Sequence, residues 1–480
     1  MINKGRILFI VHDFYQDDNY FPLGIAYLAA VLKKQGVEVK ICCQDVFHYS
    51  NEETAKLFLE KENYDLICIG FMAARFKETV LGLCETVNRF KKNAWLVLGG
   101  YGPTPIPEYI LEKTQADIVS LGEGEETIVE LLKYKIEKGD LSQLKGVAYR
   151  IGKDIKINER RNPISNLDSI PFPEWSLFPM DKYSTCLRLS GMEEKDKIMG
   201  ISTTRGCINR CNFCYRMEKA IRFRSVDNVI EEIKILKEKY GITYFTTHDE
   251  LFIYSKQRVF DFYEGLKKNN LKIKFDCNAR VNIFDEEIAD CLKKSGCVFI
   301  NFGFESSDQK VLDLMKKNTT VEQNIKASQI TKNAGIGLGL NFIWGNKGDT
   351  KESLKGNVEL IKEYNNYYQV RTIRPVTPFP GSELYYEAIK TGLLSGPDDF
   401  FNKFKNSDLL TVNFTDIPEP EFYRLLFEAN KELISDHFEH TTKDKKEADA
   451  LIQGFYDLYF KGQTKFRGAR HYDKKEAANC

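Results

Sequence analysis

The chain contains no run of about 18–20 apolar residues, the length a helix needs to cross a bilayer, so a membrane-spanning segment is not expected. Its opening stretch, "MINKGRILFIVHDF", holds only a few apolar residues in a row before His12 and Asp13. A secretory core needs roughly 7–15, and the expected location is the cytoplasm. Charge of either sign is not in excess: Lys plus Arg and Asp plus Glu both number 69. Without a net field, nothing draws the protein as a whole to nucleic acid or to an anionic surface. Tandem repeats and low-complexity blocks are missing too. A disulfide framework is not expected, because a reducing compartment keeps the 12 cysteines as thiols. Nine of them are scattered in the way small buried hydrophobes are.

What remains is an ordinary globular mixture, 42% apolar and 29% charged over 480 residues, long enough for about three domains. Residues 1–150 alternate between apolar strand-like runs ("RILFIV", "VEVKICC", "DLICIGF", "WLVLGG", "DIVSLGEGE") and helical segments such as "GIAYLAAVLKKQG", which stops at Gly36. Strands of this kind imply a parallel sheet covered on both faces, a doubly wound Rossmann-like α/β domain. Ligands of such sheets bind beyond the strands' carboxyl ends. Gly70, Gly99, Gly100, Gly102, Gly122 and Gly124 fall there.

Residues 151–195 carry four of the 14 prolines and read as an extended linker. Residues 196–385 alternate again, with six strand-like segments and a helix over "VDNVIEEIKILKEKYG" expected to start at an Asp227 cap. Six strands predict a (β/α)6 partial barrel. Polar residues gather at the strands' carboxyl ends, where α/β barrels build their sites: Asp249, Glu250, Arg280, Glu305, Ser306, Asn341 and Arg374. Residues 386–480 are expected as a small helical C-terminal domain, led by the amphipathic "EPEFYRLLFEANKELISDHFEH" and ending in a solvated polar tail.

Only one group of cysteines is tight. "CINRCNFC" spaces Cys207, Cys211 and Cys214 by four and three residues on a loop between a strand and a helix. Three thiols so close could ligate a metal, form a disulfide or fill a turn. Structural zinc wants four ligands, and the loop offers three with no histidine near. An iron–sulfur cubane normally takes four thiolates. With three, one iron is left open to a substrate or cofactor.

The loop resembles the CxxxCxxC loop of radical S-adenosylmethionine (SAM) enzymes. That resemblance implies a [4Fe–4S] cluster on Cys207, Cys211 and Cys214, with SAM chelating the fourth iron. Cleavage of SAM then yields a 5′-deoxyadenosyl radical. Phe213 matches the aromatic that packs near the adenine. "THDELF" resembles the family's second-strand acidic motif, in which Asp249 and Glu250 would accept from the methionyl ammonium. "FGFESSDQKVLDLMKK" resembles the fourth-strand segment and would put Glu305 and Ser306 near the ribose or methionine. "GLGLNFIWGNKGDT" resembles the fifth-strand motif, with Asn341 nearby and Gly345 against the adenine, although the usual proline is missing. Arg280 and Arg374 are the candidates for binding a carboxylate.

"FPLGIAYLAAVLKKQGVEVKI", "GGYGPTPIPEYIL" and "DIVSLGEGEETIVELL" resemble the cobalamin-binding domain that precedes many such barrels. The implied contacts are Gly99, Gly100, Gly102, Gly122 and Gly124, with Met72, Arg75 and Phe76 on a loop over the corrin's lower face. The Asp-x-His-x-x-Gly motif that supplies an axial histidine is absent. Together the resemblances imply a cobalamin-dependent enzyme that methylates an unactivated carbon of a small molecule through methylcobalamin. A flavodoxin- or ferredoxin-type protein would donate the electrons. The alternative within the family is oxidative cyclisation, ring contraction or carbon–carbon coupling, with cobalamin absent or not methylating.

Overall fold

The computed structural model describes residues 5–14 and 19–464; the polar tail beyond Thr464 lies outside them. The chain forms two compact units. One is built from residues up to Arg161 plus Pro173–Arg188, the other from Asn162–Phe172 plus Leu189–Thr464. Residues 151–195, expected as one linker, are thus shared out between both units.

In the first unit the five expected strands form as β1 (Arg6–Val11), β2 (Glu38–Cys43), β3 (Leu66–Gly70), β4 (Trp95–Gly99) and β5 (Ile118–Ser120). They pair in parallel in the order β2-β1-β3-β4-β5. This is a doubly wound sheet whose strand order reverses between β1 and β3, and its ligand crevice belongs at that reversal. The helix Leu23–Lys34 ends as expected, with Gly36 at φ +80°, a left-handed position that suits glycine. An antiparallel hairpin, β6 (Val147–Ile151) and β7 (Asp154–Ile157), extends the sheet beyond β5 and corrects the linker expectation. Its signal is the two-residue turn Gly152–Lys153 between alternating runs.

In the second unit β8 (Ile198–Ile201) leads to a two-stranded ribbon of β9 (Thr204–Arg205) and β10 (Arg222–Phe223). There follow β11 (Tyr244–Thr247), β12 (Lys274–Ala279), β13 (Cys297–Glu305), β14 (Gly337–Trp344) and β15 (Arg374–Pro375). Six of these make one parallel sheet in the order β15-β14-β13-β12-β11-β8. It is the six-strand partial barrel that the alternation predicts. The helix after the ribbon runs Val226–Tyr240, and its cap is Ser225, whose side chain accepts from Asn228 N, rather than Asp227. The C-terminal helices Glu419–His440 and Lys445–Phe460 belong to this unit.

Period-two alternation sorts the barrel strands into two faces. Phe275 of β12 packs on Phe262 of the helix Lys256–Lys268, and Trp344 of β14 stacks on Phe422 at 4.2 Å. Phe302 and Phe342 share that helix-facing, buried side. The alternate positions face inward and stay open to solvent in part: Asn278, Asn301 and Gly303 are half-buried, and Asn341 is exposed. A closed apolar core would have buried them. The inner face is therefore wet and polar, with small residues where others project. A Cβ on Gly200 would lie 2.5 Å from His248 Nε2, and one on Gly339 would lie 2.4 Å from Asn301 Oδ1.

Candidate functional site

The cysteine loop hangs from the β9–β10 ribbon, and its root is pinned from two sides. Asp249 Oδ1 accepts from Thr203 N at 2.6 Å and from Thr204 N at 2.9 Å, while Oδ2 accepts from Thr203 Oγ1. Arg258 Nη2 donates to Thr203 O at 3.1 Å. Gly206, next to Cys207, sits at φ +86°, and a Cβ there would lie 2.0 Å from Ala220 O. Only glycine fits such a place. The middle of the loop is latched at Asn212, whose N donates to Met315 O at 3.0 Å and whose O accepts from Leu384 N at 2.8 Å. Cys211 is buried, Cys207 half-buried and Cys214 exposed, all as free thiols.

Arg280, at the end of β12, donates from Nη1 to Cys211 Sγ at 3.7 Å and from Nη2 to Lys317 O. Lys317 in turn pairs with Glu305 at 2.7 Å. Glu305 stands at φ +66° where the β13–β14 register slips, a conformation that non-glycine residues adopt at a cost. Gly303 makes room for this pair, since a Cβ there would lie 2.3 Å from Glu305 Oε1. His248 is open to solvent yet ringed by protein, and the reduced solvation lowers its pKa.

The donor set fits an iron–sulfur cubane better than a single ion. One ion needs its ligands to converge at about 2.3 Å from one point. Among the described residues no group of three His, Cys, Asp or Glu is so arranged. A cubane takes each thiolate on a different iron, and three thiols spread along one latched loop with a guanidinium beside one of them suit that.

Several residues expected to contact a cofactor have partners within the fold. Asp249 is 1% exposed and its carboxylate holds the loop's root. Ser306 is fully buried, and its Oγ accepts from Asp308 N ahead of the helix Gln309–Leu314. Gly345 lies at φ +97° with its missing Cβ 3.0 Å from Phe422, so the backbone and the helix packing both favour glycine there. Arg374 is paired with Asp408 at 3.1 Å. Cys207, Cys211 and Cys214 come together with Arg280, Glu305 and Lys317. Phe213 is half-buried on the same loop, and Glu250 and Asn341 are exposed. Sequence reasoning misses Lys317, Asn212, Asn301 and Arg371. A lysine twelve residues past Glu305 carries no local pattern, and only the turn after β13 brings the two together.

In the first unit the loops after β1, β3, β4 and β5 lie at one end of the sheet. Gly70 and Gly99 are register partners there. A Cβ on Gly70 would meet nothing nearer than 3.9 Å, and one on Gly99 nothing nearer than 3.8 Å. Internal packing does not require these glycines, and they leave a shelf bare of side chains, which suits a flat macrocycle. The other glycines are accounted for from within. A Cβ on Gly102 would lie 2.7 Å from the Phe71 ring, one on Gly100 3.1 Å from Phe71 O, and one on Gly124 3.0 Å from Leu28. Gly122 sits at φ +84°, a left-handed position that favours glycine, and its amide donates to Thr104 Oγ1 across a long 3.5 Å. Phe76 is 1% exposed and stacks on Phe71, within the packed core of the unit. Met72 is 57% exposed, and Arg75 is half-buried with its guanidinium over Phe14.

Comparison with known proteins identifies both domains. Residues 201–361 match the Radical SAM superfamily, and residues 17–132 match the B12 binding domain. The chain is 30% identical over 452 residues to the uncharacterized methyltransferase PH0819 of Pyrococcus horikoshii, covering 92% of this chain and 94% of that protein. It is 28% identical over 400 residues to the anaerobic magnesium-protoporphyrin IX monomethyl ester cyclase of Rubrivivax gelatinosus, covering 80% of this chain and 70% of that protein. Its fold is shared with the radical SAM methyltransferase TsrM of Kitasatospora setae, solved with cobalamin and a [4Fe–4S] cluster bound. That match has a TM-score of 0.66 at 18% identity and covers 80% of this chain and 75% of that one. The chain belongs to the radical SAM superfamily, as a member that carries a B12-binding domain ahead of its barrel.

Proposed function

We propose that this radical SAM enzyme, with its [4Fe–4S] cluster, SAM and cobalamin, methylates an unactivated carbon of a small-molecule substrate. The observation that carries the reading is the match along nearly the whole length of both chains to a methyltransferase. The bound cofactors would supply the electron, the hydrogen-abstracting radical and the methyl group. The chain's own residues do the positioning. Cys207, Cys211 and Cys214 hold the cluster. Asp249, Arg258 and Asn212 fix the loop that bears them, and Arg280 tempers the charge on Cys211. The bare shelf of Gly70 and Gly99, with Met72 and Arg75 beside it, receives the corrinoid. The polar inner face of β11–β14, with His248, Asn278, Asn301 and Asn341, receives the substrate. An electron donor of flavodoxin or ferredoxin type and a cytoplasmic setting complete the proposal; among the described residues no helix is long and apolar enough to cross a membrane.

The second reading, oxidative cyclisation, is favoured by the similarity to the cyclase of Rubrivivax gelatinosus. Anaerobic reconstitution followed by assay of iron, sulfide and corrinoid separates the two when joined to turnover with methyl-labelled SAM. Cluster plus corrinoid plus labelled product supports methylation. Cluster and 5′-deoxyadenosine formation without label transfer moves the assignment to cyclisation.

A further inference from the structure

Among the described residues, buried cations are typically compensated. Arg224, 5% exposed, is paired with the fully buried Glu232. Lys317, likewise 5% exposed, is paired with Glu305 at 2.7 Å. Even the half-exposed Arg374 has Asp408. Arg371 departs from this pattern. It is 7% exposed, and among the described residues no carboxylate pairs with it. Its partners are Asn341 Oδ1, 3.4 Å from Nη1, and Gln369 Oε1, 2.9 Å from Nη2. The guanidinium carbon lies 5.3 Å from the centre of the Phe299 ring. A guanidinium has five N–H donors, so most are unused, and Nε is buried with no partner at all. Burial with no counter-charge pushes its pKa down to about 10.

An unpaired buried cation is costly, and two neutral acceptors and one ring offset only part of that cost. Its place leaves the charge open to a partner from outside the fold. Asn341 and Phe299 both lie on the inner face of the barrel, so the guanidinium borders the wet cavity rather than the helix-packed side. The contact to Asn341 is long, and Asn341 itself is exposed. Asn301 lies on the same face, one strand over. His437, on the helix Glu419–His440, feels the charge of Arg371 and also has a buried Nδ1 without a partner. The inner-face carboxylate of β12, Asp276, accepts from Thr246 Oγ1 at 3.0 Å through Oδ1, its Oδ2 is buried without a hydrogen-bond partner, and it forms no ion pair with Arg371. Arg371 precedes β15, the edge strand of the sheet opposite β8, and no hydrogen bond joins it to the residues that hold the cysteine loop.

We propose that Arg371 anchors an oxyanion, a carboxylate or phosphate group of the substrate, at the β14–β15 side of the barrel's inner face. The inference deepens the proposed function and rests on its reading that the inner face receives substrate. The incoming group supplies the counter-charge that the fold withholds. A planar fork onto an oxyanion gives orientation as well as affinity, which holds one carbon of the substrate toward the thiol-bearing loop.

The test uses the full chain reconstituted without oxygen and titrated with benzoate, benzamide and inorganic phosphate, in the presence and absence of SAM. Benzoate or phosphate is expected to bind and raise the melting temperature, and benzamide to do neither. Arg371→Gln should weaken oxyanion binding by about 10- to 100-fold, the loss expected for charged hydrogen bonds, and leave SAM affinity intact. Arg374→Gln, which removes an arginine already paired, should change neither. Preference for benzoate over phosphate assigns a carboxylate, and the reverse assigns a phosphate. If Arg371→Gln does not fold, Arg371→Lys keeps the charge without the fork and should still weaken oxyanion binding. The proposal is overturned if no oxyanion binds the parent protein, if binding survives both substitutions, or if SAM affinity falls instead, which would make the site the cosubstrate's own. Failure of methyl transfer would remove the proposed function and leave this binding result to be judged by itself.

Discussion

Asp249 separates two accounts of how the cluster site works. If it is a strut, Asp249→Ala leaves Thr203 N and Thr204 N without their shared acceptor at 2.6 and 2.9 Å. Each buried N–H so orphaned costs about 1–3 kcal/mol, or about 2–6 kcal/mol for the pair. At about 1.4 kcal/mol per factor of ten, the ordered root of the loop loses between about 30-fold and about 10⁴-fold in population. Asp249→Asn is different. Both amides meet the same oxygen, Oδ1, which the asparagine retains. The new NH₂ faces Thr203 Oγ1, a hydroxyl that can turn and accept. The cost should be about 0.5–1.5 kcal/mol. The assay is iron and sulfide per chain after anaerobic reconstitution, read beside SAM affinity by equilibrium dialysis. Asp249→Ala should lose most of the cluster, and Asp249→Asn should keep both cluster and SAM affinity. The reasoning is refuted if Asp249→Asn loads fully yet binds SAM about tenfold more weakly, the signature of a lost charged contact. It is refuted equally if Asp249→Ala loads fully.

Gly206→Ala would press a methyl to 2.0 Å from Ala220 O at a left-handed φ; the protein should fold its first unit and bind corrinoid while holding little iron. Arg280→Gln removes the positive charge beside Cys211 and should lower the cluster's reduction potential, measurable by redox titration of its absorbance. Asp349, which accepts from Gly345 N, Asn346 N and Ser353 Oγ, has its pKa raised by burial from 3.8 to about 7. The folded state then holds more protons than the unfolded one between those values, so its contribution to stability falls as pH climbs from about 4 to about 7. Asp349→Asn should flatten that part of a urea-melt profile taken across pH 5–7.5, and an unchanged slope would count against the assignment.

Some of this is legible in the linear order of residues. The spacing of Cys207, Cys211 and Cys214 is local, and a short loop carries its own chemistry. The strands are legible because each is an apolar run bounded by turn residues. The hairpin β6–β7 escapes such a reading because its outer strand, "DIKI", is exposed on three of four positions and half-buried on the other, so it lacks an apolar signature. A linear pattern treats the first unit's glycines uniformly as ligand contacts, yet they divide. Gly70 and Gly99 are open, whereas Gly100, Gly102 and Gly124 answer to Phe71 and Leu28, neighbours that the pattern does not reveal. Acidic residues at strand ends look alike in the same way, and here too the fold decides: Asp249 turns back onto Thr203, Glu305 pairs with Lys317, and Glu250 is exposed.

By itself, then, the order of residues determined the alternation of strand and helix in both halves and the three-thiol loop, because these depend on neighbours within a few positions. Tertiary structure alone decided which polar side chains serve the fold and which remain available. That choice depends on distance in space: Asp249 is 46 positions from Thr203, and Asn341 is 30 from Arg371. Whether a charge is satisfied or left waiting is a property of those meetings, and no local pattern encodes it.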